Sequence, residues 1–235
     1  MISNYFTLSA LAHEWSDILS GAVIRDVYSP HKDELAIDFS ADGETETIRI
    51  SVRPGFHFIY RGLRAGRPRS NVATLFGSLI GETIAAVDMN PSDRILMFDL
   101  GPNRRMDIHL YGSRANVFLI SKEPDGEHIE DAFKRSAKYQ GESPPLPKEL
   151  PKSELKDALK DDDVSTVLEK RLSRLRPRLG KPLIREWILR AGIDGDVTGA
   201  LPEDSVERLE SSLTALLSDL EAPSPALYHA QDDEI

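Results

Sequence analysis

The sequence predicts an α+β fold: two related units, each a helix followed by antiparallel strands, and then a small all-helical region. Three observations carry this prediction: a 60-residue internal repeat, strand-like alternation of apolar residues in each copy, and a helical pattern beyond residue 152. Of the 235 residues, 40% are hydrophobic and 29% are charged. These values are typical of a globular protein that buries a core of its own.

The internal repeat relates residues that lie 60 positions apart, without a gap. The matched segments are 21–27 with 81–87, 33–37 with 93–97, Ile48 and Ile50 with Ile108 and Leu110, and 58–60 with 118–120. The order and spacing of these matches indicate a duplicated structural unit.

Each copy is predicted to begin with a helix and to continue as about four short strands. Apolar residues at helical spacing predict the helices within 8–19 and 72–80. Apolar residues at every second position, as in 35–39, predict the strands, and turn residues at 41–43 and 101–103 separate them. Two sheets that each have one apolar face are expected to stack as a β-sandwich-like domain flanked by two helices.

The predicted organisation has four parts. They are a repeat domain at 1–139, with units at about 8–60 and 70–120, a proline-rich linker at 140–152, a helical region at 153–221, and a tail at 222–235. The helices expected in the third part are 154–159, 164–175, 183–191 and 206–220. We expect the tail to lead toward a further C-terminal part that this chain lacks.

One turn in the helical region is a candidate phosphate-binding element. Gly180 lies between two predicted helices, with Arg178 and Lys181 on either side. In a helix-hairpin-helix, such a turn directs backbone N–H groups and a helix N-terminus at a phosphate. A plain turn between two helices is the alternative interpretation.

Charge is distributed unevenly along the chain. The net charge is −10, but residues 193–235 alone contain eleven acidic side chains and one basic side chain. Residues 50–120 contain nine arginines against five acidic residues, and residues 165–190 contain eight basic against two acidic residues. Nucleic-acid binding depends on a local basic patch and not on the total, so both nucleic-acid binding and a merely solvated surface remain open.

Enzyme chemistry is not predicted. The chain has no cysteine, which excludes disulfides, thiolate metal sites and cysteine nucleophiles, and its six histidines lack metal-ligand spacing. No glycine-rich phosphate loop or nucleophile motif is present. We therefore expect no catalytic residue, no metal and no cofactor. Because no membrane-length apolar run and no signal peptide are found, we expect no membrane association and a cytoplasmic location.

The two copies differ at the start of their third element, where Asp33-Glu34 in the first corresponds to Asp93-Arg94 in the second. Neighbouring residues of a strand point to opposite faces. Asp93 would therefore cap the preceding turn while Arg94 projects toward a ligand, or the reverse. Turn chemistry in 90–93 alone is the alternative.

A second candidate lies in 111–116. Gly112 permits an unusual backbone, and Arg114 and Asn116 are residue types that read phosphates and bases. A β-turn that carries an exposed arginine is the alternative. His109, just before this segment, is expected on the exposed polar face of its strand.

In order and spacing, these segments resemble the N-terminal part of NFACT-family proteins, which were formerly described as fibronectin-binding protein A. The segments that carry the resemblance are 11–14, 21–35, 93–96, 112–117, 131–135 and, more weakly, 185–192. The resemblance implies a fold similar to the N-terminal domain of formamidopyrimidine-DNA glycosylases, followed by a helix-hairpin-helix-like region. The chain begins Met1-Ile2 and not with the catalytic proline of those enzymes, so glycosylase activity is not expected.

The resemblance also implies a function in ribosome-associated quality control. Family members bind tRNA and the large ribosomal subunit obstructed by peptidyl-tRNA, and they promote alanine tailing of the stalled chain. Asp93 and Arg94 correspond to the pair implicated in tRNA engagement, and we expect a monomer or weak oligomer. Phe76-Gly77-Ser78 replaces the Arg-Lys that many members carry in the second helix, which puts phosphate binding there in doubt. The alternative function is that of an adhesin-type domain that binds fibronectin or fibrinogen.

Overall fold

The computed structural model describes residues 4–41, 43–64, 66–67, 72–91, 93–134, 159 and 165–222. The chain divides into two compact units, Met1–Lys148 and Glu149–Ile235. The predicted linker, and all but one residue each of the predicted helix 154–159 and the tail, lie outside the described residues. Within the described residues, the predicted α+β fold with two antiparallel sheets is confirmed.

In its described residues, the first unit contains helix α1 (Tyr5–Leu19) and two five-stranded antiparallel sheets. Sheet 1 has the order β4-β3-β2-β1-β5 and contains β1 (Val23–His31), β2 (Glu34–Ala41), β3 (Glu44–Arg53), β4 (Phe56–Leu63) and β5 (Ala73–Thr74). Sheet 2 has the order β10-β9-β8-β7-β6 and contains β6 (Ala86–Met89), β7 (Ile95–Asp99), β8 (Arg104–His109), β9 (Asn116–Glu123) and β10 (Gly126–Ala132). Each sheet is thus the predicted four-stranded meander with one further edge strand.

The helix predicted at the start of the second copy is not formed. Residues Ala73–Thr74 are β5, and Gly77–Leu79 make a single 3₁₀ turn. Phe76, which precedes this turn, has a φ of 48° in the left-handed region, a conformation that a right-handed helix cannot contain. Of the apolar residues that suggested a helix, Leu79 is fully buried by this turn, whereas Ile80 is 49% exposed.

The two copies pair with each other through equivalent segments. The N–H of Gly21 donates to the carbonyl of Ile84 at 2.9 Å, and the N–H of Gly81 donates to that of Ile24 at 2.8 Å. A further two bonds, from Ile24 to Glu82 and from Ile84 to Ala22, both measure 2.9 Å. Because each bond has its counterpart 60 residues away, the copies are related by a local pseudo-two-fold axis.

Equivalent turns lead into this pairing. Ala22 donates its N–H to the carbonyl of Leu19 at 2.9 Å, and Glu82 donates to that of Leu79 at 3.0 Å. The third residue of each turn is a glycine with positive φ, 83° in the first copy and 94° in the second. A type II turn requires this conformation at that position, which explains why both copies have glycine there.

The single offset of 60 does not hold through the sheets. Leu35 pairs with Ile50 in sheet 1, whereas in sheet 2 Leu96 pairs with Ile108. Leu96 and not Ile95 belongs to the shared core, so β7 is shifted by one residue relative to the gapless alignment. The shift follows from side-chain alternation, because only one of two neighbouring strand residues can face the core.

One hydrophobic core lies between the inner faces of the two sheets and the buried side of α1. Asn4 caps the helix, its side-chain oxygen accepting the N–H of Thr7 at 2.8 Å. Trp15 of α1 meets Phe98 of sheet 2 edge to face, with ring centroids 6.2 Å apart. Burial of a large apolar side chain contributes about 1.5–3 kcal/mol, so the burial of Trp15 helps to hold α1 against the sheets.

The second unit contains α2 (Leu168–Leu175), α3 (Gly180–Ala191) and α4 (Glu203–Glu221). These are three of the predicted helices, with beginnings that differ by a few residues. Trp187 of α3 is buried and donates its Nε1–H to the carbonyl of Leu209 in α4 at 2.8 Å. Among the described helices, none has the length and apolar character needed to cross a bilayer.

Candidate nucleic-acid interface

One end of the β-sandwich gathers the sequence-predicted residues. The strands alternate in direction, so the start of β7, the β8–β9 loop and the tip of the β3–β4 hairpin lie at equivalent ends of their sheets. The residues of interest there are His57, Asp93, Arg94, Tyr111, Arg114 and Lys134, and we call them the polar rim.

Asp93 stabilises the turn before β7, and Arg94 follows it, directly before that strand. The Asp93 Oδ1 accepts the N–H of Arg94 at 2.7 Å, and the turn is closed by a 2.9 Å bond from the N–H of Asn90 to the carbonyl of Ile95. The guanidinium carbon of Arg94 lies 5.6 Å from the ring centroid of Tyr111, within the range of a cation–π contact. Asp93 thus holds the turn, and the half-buried Arg94 side chain lies against Tyr111; that Arg94 meets a ligand stays a prediction.

Arg94 occupies the position that Asp33 occupies in the first copy. The carbonyl of Asp33 accepts the N–H of Val52 at 2.9 Å, and that of Arg94 accepts the N–H of Leu110 at 3.4 Å, in the corresponding place between neighbouring strands. The gapless alignment had instead matched Arg94 to Glu34. At this position, the first copy thus has the acidic Asp33 and the second copy has the basic Arg94. The charge of Asp33 is balanced by Lys134, whose Nζ lies 3.1 Å from the Asp33 Oδ1.

His57 is a rim residue that the sequence did not single out. It is 7% exposed, and its Nε2 has no hydrogen-bond partner among the described residues. Burial lowers the pKa of His57 below its ordinary value, and the positive charges of Lys134 and Arg94 lower it further. The imidazole is therefore neutral near pH 7. The sequence alone does not indicate the surroundings of His57, because Arg94 and Lys134 are distant from it along the chain.

Lys134 is also brought to the rim by the fold. Its Nζ donates to the carbonyl of Val52 at 2.8 Å, the residue that pairs with His57 across the β3–β4 hairpin. Together with the Asp33 contact, this bond ties the end of the second sheet to the first. The only sequence signal was its place in the 131–135 segment of the family resemblance.

Asn116 does not present its side chain to solvent, contrary to its prediction as a nucleic-acid contact. It is fully buried, its Nδ2 donates to the carbonyl of Lys134 at 3.1 Å, and its Oδ1 accepts the N–H of Lys134 at 2.8 Å. An amide whose two ends both bind one backbone unit fixes that unit. Asn116 therefore positions Lys134 and is not itself a reader.

The β8–β9 loop combines an exposed part with a buried one. Arg114 ends a 3₁₀ turn, Gly112–Arg114, whose three residues are all exposed. His109 is 4% exposed, and the expectation of an exposed position was wrong. Its ring is covered by Tyr111, stacked at 5.8 Å, and by Phe118, edge-on at 5.0 Å, and burial lowers its pKa. Tyr111 thus links the buried histidine to Arg94.

The predicted phosphate-binding turn of the second unit has the expected backbone. Gly180 has a φ of 67° and is the first residue of α3, while Lys181 is exposed and Arg178 half-buried. A cleft of about 410 Å³ lies beside it, lined by Val167, Glu169, Lys170, Ser173, Arg174 and Lys181. The structure thus adds Lys170 and Arg174 to the basic residues near this turn, because both lie on the face of α2 that meets the cleft.

Comparison with solved structures identifies relatives of this fold. It is similar to the fibrinogen-binding protein of Staphylococcus aureus (TM-score 0.70, 13% identity, 95% of this chain and 84% of that one). It is also similar to the N-terminal domain of the fibronectin-binding protein PavA of Streptococcus pneumoniae (TM-score 0.57, 18% identity, 92% and 81%). The N-terminal part of the fibronectin/fibrinogen-binding protein of Streptococcus suis gives a TM-score of 0.52 at 16% identity, with 92% and 82% covered.

No curated protein sequence matches this chain. Because their identities are all below 20%, the solved structures establish the fold alone. The family follows from a separate match, to the model of the NFACT N-terminal and middle domains, over residues 4–235. With nearly the whole chain matched and the expected fold present, the protein belongs to the NFACT family.

Proposed function

We propose that the protein binds tRNA through the polar rim, as the N-terminal module of a cytoplasmic ribosome quality-control factor. Its further partner is the large ribosomal subunit obstructed by peptidyl-tRNA, on which such a factor promotes alanine tailing of the stalled chain. Family membership supports the biological setting.

The observation that carries the proposal is the pairing of Arg94 with Tyr111 at the edge of the sandwich. A guanidinium held over an aromatic ring combines donors for a phosphate or base edge with its own planar face, on which an unpaired base can stack. Such groups suit the loops and ends of an RNA, whose bases are accessible, better than a regular duplex.

The test is the tRNA affinity of Arg94→Ala, measured by fluorescence anisotropy at several salt concentrations between about 50 and 200 mM. We expect a loss of about 1–3 kcal/mol, or roughly 5- to 150-fold in Kd. If a phosphate contact is lost, the plot of log Kd against log salt also becomes shallower, by about 0.7–0.9.

Arg25→Ala is the matched control, because Arg25 is an exposed arginine of β1 whose Nε bonds Ser40 at 2.8 Å. This variant should bind tRNA like the wild type. An Arg94→Ala protein with unchanged affinity at every salt concentration would remove the rim from tRNA recognition.

We further propose that the rim binds RNA without catalysing a reaction on it. Among its described residues, no nucleophile is activated by a neighbouring side chain that acts as its general base. Mass spectrometry of tRNA recovered after incubation with the protein should show intact strands and bases. Cleaved strands or missing bases would identify an enzyme.

A second candidate function is binding of fibronectin or fibrinogen, which the descriptions of the three similar structures favour. Surface plasmon resonance on immobilised fibronectin and fibrinogen tests it. Saturable binding that is insensitive to Arg94→Ala, together with no affinity for tRNA, would favour the adhesin over the RNA-binding module.

A further inference from the structure

A row of aromatic side chains lies on the outer surface of β4, which is an edge strand among the described strands of sheet 1. Phe56, Phe58 and Tyr60 alternate along the strand and therefore share one face. Neighbouring rings are 5.6 Å apart, and Phe56 and Tyr60 are 57% and 50% exposed. We call these three residues the β4 stripe. Its exposure is unusual, because rings of this size normally contribute to a core.

Arginines accompany the β4 stripe on the neighbouring strand. In the antiparallel register, Arg53 pairs with Phe56 and Arg49 pairs with Tyr60. Directly paired residues lie side by side on the same face. Neither arginine forms an ion pair with any residue that the structure describes, and Arg53 is exposed. The outer face of this hairpin thus carries both rings and uncompensated positive charge.

The wider segment is free of acidic residues. Between Glu46 and Glu82 the sequence contains no aspartate or glutamate and six arginines, in a protein whose net charge is −10. Three of the six are engaged with carboxylates of sheet 1: Arg61 with Glu46 at 3.3 Å, Arg64 with Asp38 at 2.9 Å, and Arg67 with Asp26 at 3.0 Å. The arginines next to the β4 stripe, Arg49 and Arg53, are not among these three. This charge distribution favours a polyanionic partner.

The β4 stripe begins at the polar rim. Phe56 is next in sequence to His57, whose pKa is lowered in part by the charge of Arg94. From there the rings follow β4 away from the rim. Glu34 lies on the same outer face, because it pairs with Ser51, which in turn pairs with Phe58. A strand that contacts Arg94 and continues over the rings therefore runs along β4, with Ser51 of β3 between the rings and this acid.

We propose that the β4 stripe binds single-stranded RNA, with bases stacked on Phe56, Phe58 and Tyr60 and phosphates held by Arg49 and Arg53. Aromatic rings interleaved with guanidinium groups are how sequence-tolerant single-strand sites work, because every base has a face that can stack. The inference deepens the proposed tRNA binding and rests on it for the biological ligand. A protein strand added to the β4 edge would use backbone groups and would not need the arginines.

The test uses a fluorescent single-stranded RNA of about 12 nucleotides, which falls within the usual site size. Phe58→Ala should weaken its binding about tenfold, the typical effect of removing one stacking ring. Phe58→Leu should lose as much, because it keeps apolar bulk without a ring, whereas Phe58→Tyr should bind like the wild type. Arg53→Ala should weaken binding and make its salt dependence shallower.

Leu63→Ala is the matched control, since Leu63 is 88% exposed on the same strand but faces the other way from the β4 stripe. It should leave affinity unchanged, and a blunt RNA duplex of the same length should be insensitive to Phe58→Ala. Thermal unfolding shows whether each variant is folded. If folded Phe58→Ala or Phe58→Leu binds the single strand like the wild type, the stacking site does not exist.

The two proposals fail separately. If Arg94→Ala weakens tRNA binding while all β4 variants bind single strands normally, only the stripe is refuted. If single strands require the stripe while tRNA affinity is indifferent to Arg94→Ala, the stripe stands and the rim proposal is refuted.

Discussion

At the scale of single residues, the polar rim shows how one duplicated position acquires two uses. Asp33 and Arg94 make corresponding backbone contacts between neighbouring strands. Lys134 neutralises the first, while the second lies over Tyr111. The two copies therefore differ here in their side chains, while their backbones make corresponding contacts. Because His57 lies close enough to respond to both cations, its protonation is coupled to the state of the rim.

Protonation of His57 should make stability depend on pH. Its pKa in the folded protein is below the ordinary value of 6.5, so at mildly acidic pH the unfolded chain binds more protons than the folded one. The free energy of unfolding therefore falls as pH is lowered through about 6.5 and is recovered above it. Urea unfolding at about pH 7.5 and about pH 5.5 should show a smaller difference in His57→Gln than in the wild type.

The difference should shrink without vanishing, because burial also lowers the pKa of His109. His13→Gln is the control, since His13 is exposed on α1. An equal pH dependence in wild type and His57→Gln would show that the imidazole is not held neutral by its surroundings.

At the scale of elements, the turns that contain Gly21 and Gly81 join the two copies. Both have positive φ, and a Cβ added at either would meet no atom within 4 Å. A substitution there is therefore opposed by backbone conformation alone. Gly21→Ala and Gly81→Ala should each cost about 1–2 kcal/mol of the free energy of unfolding, by similar amounts in the two copies.

Gly77→Ala provides the comparison, because Gly77 also has open space around its Cα but is not among the glycines with positive φ. It should be neutral or slightly stabilising, by up to about 1 kcal/mol. Chemical denaturation of the three variants measures this directly. Losses at Gly77 as large as those at Gly21 and Gly81 would argue against a conformational cause.

The sequence predicts most strands and turns of this fold, but it does not predict how the two copies align residue by residue. The glycine turns and alternating strands were predictable, because they depend on local chemistry. The predicted helix over 72–80 is wrong, because apolar residues three and four apart also fit the 3₁₀ turn that buries Leu79. The one-residue shift in β7 depends on which of Ile95 and Leu96 faces α1 and sheet 1, and that choice is made by packing.

The same limit applies to the site. Arg94 and Arg114 are predicted as candidates because each lies beside a recognisable turn. His57 and Lys134 were missed as site residues because their neighbours are brought to them by topology. Asn116 was given the wrong role, since an asparagine that binds backbone and one that binds a ligand look the same in sequence.

At the scale of the molecule, the net charge differs between the two units, whereas the two sheets of the first unit share one hydrophobic core. Residues 1–148 contain 17 basic and 20 acidic side chains, and residues 149–235 contain 12 and 19, so most of the net negative charge belongs to the second unit. Within the first unit, by contrast, a single core extends across α1 and both sheets. The repeat is therefore a duplication in sequence but one body in packing.

This shared core predicts that the two sheets unfold together. Native-state hydrogen exchange should give the most protected amides of sheets 1 and 2 a common opening free energy, because separating the sheets would expose one core and break the four bonds between the copies. Ile24 and Ile84 report this best, since each donates its N–H to the other copy at 2.9 Å. Gly21→Ala should lower the protection of both by the same amount, although only the first copy is altered. A drop at Ile24 that leaves the protected amides of sheet 2 unchanged would mean that each sheet opens on its own.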